Sequence, residues 1–209
     1  MPSEADGPGI SVRCVEARAK AAVLIPVKAF EDAKVRLADV LSAAERAALA
    51  RSLAAGVIAA AAGLPVAVVC DDRAVVEWAA GLGAEIVWTP ACGLNAAVSE
   101  GVARLAVQGI EMVTVAHADL PLVTDLSDIA VLGQIVLAPD RRADGTNVIA
   151  IPADCGFHFT YGPGSFGRHL AEARRIGIPF TVLNRPDLAW DVDVPDDLDP
   201  LSPRPPASI

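Results

Sequence analysis

The sequence has few cysteines and no long hydrophobic run, and each of these features excludes a class of protein. No two cysteines form a CxxC pair, so we expect free thiols and no zinc site. The four are Cys14, Cys70, Cys92 and Cys155. No apolar run reaches the roughly 18 residues of a membrane-spanning helix. Residues 1–20 also lack the apolar core of a secretory signal, so we expect a cytoplasmic protein.

Basic charge is also scarce in this chain. With 17 Lys and Arg against 26 Asp and Glu, the formal net charge is −9. Because affinity for nucleic acid depends on neutralising phosphates, we expect no nucleic-acid partner. Small anions can still bind where a metal ion or a local basic cluster supplies positive charge. The length of 209 residues suits one domain, and we predict flexible tails over 1–20 and 201–209 around a domain over 21–200.

Short apolar runs alternate with helical patterns along the first half of the chain. The runs predict buried strands at 21–27, 66–70, 85–88 and 112–116. Ser42 and Glu45 form a capping box that opens a long helix, and the alanine-rich stretch 53–64 is interpreted as buried helix. Further helices are predicted from about Asp72 and over 95–107. This alternation predicts an α/β fold, with a mostly parallel central sheet and helices on both faces.

The pattern changes after Leu126. Closely spaced strand-like segments at 135–138, 147–151 and 157–160 predict a hairpin-rich insertion or edge, and a last helix is predicted over about 165–176. Ligands of open α/β sheets bind outside the carboxyl ends of the strands. Polar clusters at 28–36, 93–95, 117–119 and 191–193 lie at such ends, and this co-location favours an active site there.

The first polar cluster is a basic loop. Lys28, Lys34 and Arg36 place three cations after the first strand. Such a group can offset the charge of a triphosphate. The residues alone leave open a loop that is only solvated. The GxxxxGK[ST] motif is absent, so the loop is not a Walker A.

Two further clusters carry carboxylates. Asp119 follows a buried strand and is expected to point into the ligand crevice, where a hard cation such as Mg²⁺ takes carboxylate oxygens. A turn or helix-cap role for Asp119 stays open. Asp191 and Asp193 would share a face on a strand, and like charges there repel unless a cation lies between them. The alternative is a solvated face with a cap for a helix that Pro195 opens.

The remaining polar segments are DGTN at 144–147 and the glycine-rich YGPGSFGRH at 161–169. Backbone N–H groups at a helix start can bind an anion, and Ser165 is the predicted N-cap. A simple turn is the alternative. His169 is interpreted as a helix-surface residue and His158 as structural, while the role of His117 stays open.

Six motifs in order give the chain a family resemblance. They are PVKAFEDAKVRL, GLNAAV, HADLPL, APDRRADGTNVI, FTYGPGSFGRH and WDVDVPDDL. Over about residues 22–199 the chain resembles the 2-phospho-L-lactate or phosphoenolpyruvate guanylyltransferases of coenzyme F(420) biosynthesis. The resemblance implies a nucleotidyltransferase fold of the nucleotide-diphospho-sugar transferase type. It also implies GMP transfer from GTP to a small phosphoacid, with release of pyrophosphate.

The resemblance implies roles for individual residues. Mg²⁺ is expected at Asp119, Asp191 and Asp193, and Asp119 is also expected to be catalytic. The phosphate-binding and catalytic loop is expected to use Lys28, Lys34 and Arg36. Asn95 is expected to contact the nucleoside. The acid is expected at Thr146, Gly162 and Ser165. It can be 2-phospho-L-lactate, phosphoenolpyruvate or 3-phospho-D-glycerate, and the residues do not separate these three.

Other functions remain open at this level. A sugar-phosphate or molybdenum-cofactor type nucleotidylyltransferase is one, although the loop at 28–36 lacks the glycines usual in the sugar-phosphate enzymes. A non-catalytic nucleotide sensor is another, although it has no need for three carboxylates. We expect GTP and a three-carbon phosphoacid as partners and no membrane, and a homodimer stays open.

Overall fold

A computed structural model describes residues 20–199 as one seven-stranded sheet with helices on both faces. The predicted tails lie outside the described residues except for Lys20. The strands are β1 (Ala21–Pro26), β2 (Val66–Cys70), β3 (Glu85–Trp88), β4 (Met112–Ala116), β5 (Ile135–Pro139), β6 (Thr146–Pro152) and β7 (Phe180–Val182). The helices are α1 (Ala43–Ala59), α2 (Arg73–Gly81), α3 (Gly93–Val107), α4 (Ser165–Ile176) and α5 (Pro186–Ala189). None of the described helices is long and apolar enough to cross a membrane.

The strand order is β3-β2-β1-β4-β6-β5-β7, and only β6 runs against the others. The chain moves outward from β1 through β2 to β3 and then returns to the opposite side of β1 with β4. The crevice at such a reversal is where open α/β sheets bind ligands. Because β6 is reversed, its first residue, Thr146, lies at the edge where the parallel strands end.

Each face of the sheet has its own core. On β1, Val23 and Ile25 pack with residues of α1 and α2, whereas Ala22 and Leu24 pack with residues of α3 and α4. This alternation is the period of two expected for a strand buried on both sides. The sheet therefore holds the strand ends rigidly between two helical layers.

The predicted capping box is confirmed, because Ser42 and Glu45 bond each other's backbone N–H at the start of α1. The helix stops at Ala59, short of the predicted Leu64. Shortly after its end, Ala62 and Gly63 take positive φ values of 51° and 89°. Cys70, Cys92 and Cys155 are free thiols, and Cys14 lies outside the described residues.

The prediction of a strand at 157–160 is wrong. These residues are irregular, because their backbone is bonded to α4 side chains rather than to a neighbouring strand. The N–H of His158 donates to Glu172 Oε1, and that of Thr160 donates to His169 Nε2, each at 2.9 Å. The short elements β7 and α5 were not predicted. The predicted insertion corresponds to the antiparallel pair β5 and β6.

Gly101 provides a test of the packing between α3 and β1. A Cβ built on Gly101 would lie 2.7 Å from Leu24 Cδ2, whereas one built on Gly56 of α1 meets nothing within 4 Å. We expect Gly56→Ala to raise the free energy of unfolding by about 0.5–1 kcal/mol through helix propensity. The free energy of unfolding of Gly101→Ala should be about 1–3 kcal/mol lower than that of Gly56→Ala, because the added methyl group overpacks the core. Urea unfolding of both variants checks this, and equal stabilisation would contradict the packing described.

Candidate active site

The ends of β1 and β4, the residues between β5 and β6, and the start of α4 surround a cleft of about 820 Å³. Nine of the ten predicted site residues line it: Lys28, Lys34, Arg36, Asp119, Thr146, Gly162, Ser165, Asp191 and Asp193. The exception is Asn95, which does not line the cleft. Its Oδ1 accepts the N–H of Tyr161 at 2.7 Å, so its position in the structure is that of a support for the 161–165 turn.

Lys34 lies among the carboxylates of the cleft. Its ammonium donates to Asp119 Oδ2 at 2.5 Å and to Asp193 Oδ1 at 3.4 Å. The Lys34 side chain is only 10% exposed, and its backbone takes the left-handed conformation with φ 56°. Arg36 adds a contact of 3.3 Å to Asp193 Oδ2 at the surface. The basic loop is therefore folded onto the acidic residues.

Asp191 is a carboxylate that lies close to two other negative charges. It is buried, and within residues 20–199 neither its Oδ1 nor the Oδ1 of Asp119 has a hydrogen-bond partner. Burial, followed by the neighbouring charges of Asp119 and Asp193, raises the pKa of Asp191. Carboxylate oxygens left without donors are the kind of ligand that a hard divalent cation prefers.

The arrangement is not a closed metal site. Within residues 20–199, no set of three or more His, Cys, Asp or Glu side chains is placed to hold a metal ion. The ammonium of Lys34 lies between two of the carboxylates, because it contacts both Asp119 and Asp193. The donor chemistry thus fits a divalent cation at Asp119 and Asp191, provided that Lys34 moves. Convergence of all three carboxylates on one ion stays a prediction.

The expectation that Asp191 and Asp193 lie on a strand is wrong. They lie in an irregular segment after α5, which is held beside β4 by a 3.2 Å bond from Val192 N–H to the Asp119 carbonyl. Pro195 does open a short 3₁₀ helix, Pro195–Asp197, with Val194 as N-cap. The segment is thus both a helix start and a wall of the cleft.

Asp197 anchors this wall and was missed by the sequence reasoning. It is fully buried, and its Oδ2 accepts the N–H groups of Asp193 and Val194 at 2.8 and 2.9 Å. Burial alone would raise the pKa of Asp197, but these two N–H groups and the bonded guanidinium of Arg141 lower it overall. The Arg141 guanidinium also lies 4.1 Å from the centroid of the Trp190 ring. The only signal in the sequence was the aspartate two residues after Pro195.

Ser165 is the first residue of α4 and not its N-cap, so that prediction is wrong. The cap is Gly164, whose φ of 71° suits glycine. The N–H groups of Gly164 and Phe166 donate to the side chain and carbonyl of Asp144, and that of Ser165 donates to the Gly162 carbonyl. Three N–H groups of the turn are thus already bonded within the protein, so a ligand at this turn depends more on the hydroxyls and on the remaining donors around Gly162.

The Asp140 carboxylate shapes the connection between β5 and β6. It accepts the N–H groups of Arg142, Asp144 and Gly145 at 2.8–3.0 Å. A Cβ on Gly145 would lie 2.8 Å from Asp140 Oδ2, so only glycine allows this approach. The folded connection leads directly into Thr146 at the start of β6.

His169 is fully buried, so its interpretation as a surface residue is wrong. Its Nε2 accepts the Thr160 N–H at 2.9 Å, and its Nδ1 lies 3.0 Å from Thr146 Oγ1. Burial first, and then the charges of Arg168 and His117, lower the pKa of His169 to about 4. His158 is exposed and pairs with Glu172, and the His117 ring lies at the cleft, 5.0 Å from that of Tyr161.

Comparison with known proteins shows the family of the chain. The family model described as "Guanylyl transferase CofC like" matches residues 21–202. A phosphoenolpyruvate guanylyltransferase of Rubrobacter xylanophilus is 39% identical over 185 residues, which cover 84% of this chain and 90% of that protein.

Solved structures show the same fold. A nucleotidyl transferase from Methanothermobacter has a TM-score of 0.60 at 16% identity, covering 86% of this chain and 94% of its own. Glucosyl-3-phosphoglycerate synthase from Mycobacterium tuberculosis, solved with Mn²⁺ and UDP, has a TM-score of 0.50 at 14% identity, covering 80% and 70%. The predicted nucleotidyltransferase fold is confirmed.

The buried histidine predicts how stability depends on pH. The pKa of His169 is about 4 in the folded protein and 6.5 for a free histidine, so the unfolded chain takes up a proton first as pH falls. The free energy of unfolding should therefore decrease progressively from pH 6.5 towards pH 4. The decrease should reach up to about 3 kcal/mol, since one pKa unit corresponds to about 1.4 kcal/mol. Urea unfolding from pH 7.5 to 4.5 should show a shallower loss in His169→Gln. The matched control, His158→Gln, removes an exposed histidine and should keep the wild-type slope, and identical slopes in all three proteins would contradict the assignment.

Proposed function

The chain belongs to the CofC-like guanylyl transferase family and is a guanylyltransferase of coenzyme F(420) biosynthesis, and we propose that it transfers GMP from GTP to phosphoenolpyruvate in the cleft described above. The observation that carries this is one cleft lined by a cationic loop, by carboxylates and by buried hydroxyls. The name of the Rubrobacter relative supports phosphoenolpyruvate over the two other three-carbon acids.

The proposed reaction is an in-line displacement. An oxygen of the acceptor phosphate attacks the α-phosphorus of GTP, a new P–O bond forms, and the bond to pyrophosphate breaks. An ionised phosphate is already a nucleophile, so no general base is required. This agrees with His169, which is buried and does not line the cleft, although its partner Thr146 does.

Bringing two anions together is the main difficulty of this reaction. Lys28, Lys34 and Arg36 lie on one wall and would offset the charge of the triphosphate and of the departing pyrophosphate. Arg36 has a planar fork suited to phosphate oxygens, which lysine does not have. The contact of Lys34 with Asp119 means that the loop must change partners when the nucleotide binds.

The two substrates are assigned to opposite sides of the cleft. GTP would lie beside the basic loop and the ends of β1, β2 and β3, where Asp71 and Thr89 line the wall. The acid would lie beside Thr146, Gly162 and Ser165, which line the cleft. A small acid has few atoms with which to gain affinity, so each hydrogen bond carries a large share of it.

A divalent cation fits this assignment, and we propose Mg²⁺. Asp119 and Asp191 would hold it through their unpartnered oxygens, and Asp193 lies beside them. When bound, the ion would neutralise phosphate charge and orient the reacting groups. The Mn²⁺ in the Mycobacterium structure is a property of that protein, whose likeness to this chain is one of fold.

A substrate panel tests the function. Each of the four common ribonucleoside triphosphates is incubated with 2-phospho-L-lactate, phosphoenolpyruvate or 3-phospho-D-glycerate, and products are identified by mass spectrometry. We expect pyrophosphate and guanylylated phosphoenolpyruvate from the GTP reaction. No product from any acid would contradict the proposal, and a guanylylated product from another acid would correct the acceptor.

The carboxylates predict a dependence on metal. Asp119→Asn should lower kcat by about 100-fold or more, the scale for loss of a strong electrostatic contact with the transition state. It should also weaken Mn²⁺ binding measured by electron paramagnetic resonance. The control Asp196→Asn changes an exposed aspartate that does not line the cleft and should match the wild type. Full activity after treatment with a chelator would show that the metal assignment is wrong.

A further inference from the structure

His169 does not line the cleft but contacts residues that do. It is fully buried in α4 and does not line the cleft, whereas its partner Thr146 does. The rings of Tyr161 and Phe157 lie 4.9 and 5.7 Å from its own and hold its plane. A polar side chain placed this way needs both ring nitrogens satisfied, and the two bonds already described satisfy them.

These two bonds determine the tautomer of His169. The Thr160 N–H can only donate, so Nε2 of His169 must accept and carries no proton. The ring proton of the neutral imidazole is therefore on Nδ1, which donates to Thr146 Oγ1 at 3.0 Å. The pKa of about 4 keeps the ring neutral over the physiological range.

The tautomer in turn orients the Thr146 hydroxyl. Its oxygen accepts from His169, so its own hydrogen is free to donate elsewhere. His169 is the only hydrogen-bond partner of Thr146 Oγ1 within residues 20–199. The N–H groups of Gly164, Ser165 and Phe166 already donate to other groups of the protein. The hydroxyl hydrogen of Thr146 is therefore one of few donors available to a ligand on the proposed acid side.

We propose that His169 is a positioning residue for the acceptor: its Nδ1–H holds the Thr146 hydroxyl as a donor to an anionic oxygen of the phosphoacid. This rests on the proposed function, because it takes the acid to lie beside Thr146. His169 itself does not touch the substrate. Its rival role is purely structural, as an anchor for the backbone of Thr160.

Two amide substitutions separate these roles. The amide of asparagine lies near the position of histidine Nδ1, so His169→Asn keeps a donor to Thr146 and loses the bond to Thr160. The amide of glutamine lies near the position of Nε2, so His169→Gln keeps the bond to Thr160 and loses the donor to Thr146. The pair thus removes one hydrogen bond at a time from the same site.

Steady-state kinetics gives the test, with GTP and phosphoenolpyruvate varied separately. His169→Gln should raise KM for the acid by about 10-fold and leave KM for GTP within about 2-fold, the lower range for losing a hydrogen bond to a charged group. His169→Asn should stay within about 3-fold of the wild type for both substrates. In a Thr146→Val background, His169→Gln should add nothing further to KM for the acid.

Other results would overturn the proposal. Equal changes in both KM values, a larger defect in His169→Asn than in His169→Gln, or additive effects with Thr146→Val would each assign His169 a structural role only. If the wild type forms no guanylylated acid at all, the proposed function fails instead, so the two failures are distinguishable.

A measurement on the unmodified protein covers the case in which the variants do not fold. Long-range ¹H–¹⁵N correlation spectra report which nitrogen of each histidine carries the proton, and His117→Gln and His158→Gln assign the signals. We expect His169 to be protonated on Nδ1 from pH 6 to 8, and its Nδ1 resonance to shift when the acid is added. Protonation on Nε2, or no shift at saturating acid, would overturn the proposal.

Discussion

The cleft must bring two anions to a group of carboxylates on a chain whose net charge is −9. Burial, followed by the neighbouring charges of Asp119 and Asp193, raises the pKa of Asp191. Lys34 compensates part of this charge by contacting Asp119 and Asp193. In the proposed function, the basic loop therefore has two sets of partners, the carboxylates and the phosphates. A cation bound at Asp119 would compete with Lys34 and free its ammonium for the nucleotide, which would link the binding of both.

The walls of the cleft are held by a few supporting residues, most of which do not line the cleft. Asp197 fixes the backbone of Asp193 and is itself held by Arg141, which also packs on Trp190. Asn95 supports Tyr161 from α3, and Asp144 fixes the start of α4. Removing one partner of a buried ion pair leaves an uncompensated charge, so such supports are as constrained as the site itself.

Much of the fold could be predicted from the sequence, because buried strands and capped helices leave local patterns. The bounds predicted for β2, β3, β4 and α4 agree with the structure. The reversed direction of β6 could not be predicted, since an apolar run reads alike in either direction. Residues 157–160 were misassigned and His169 was placed on the surface because both depend on the same contact between an irregular segment and α4. The cleft residues were found through motifs, whereas the supports Asp197 and Asn95 required the structure.

The reversed strand β6 has a consequence for how the two halves of the cleft can vary. Parallel strands reach the ligand edge with their last residues, so the side proposed for the nucleotide is built by loops that lead into the helices covering the sheet. β6 reaches the same edge with its first residue, after a short connection closed by Asp140. The side proposed for the acid thus belongs to the β5–β6 unit and to the start of α4, which Asp144 of this connection holds. The same fold can in this way keep the side of the cleft that binds the nucleotide unchanged while the pocket for the acceptor varies.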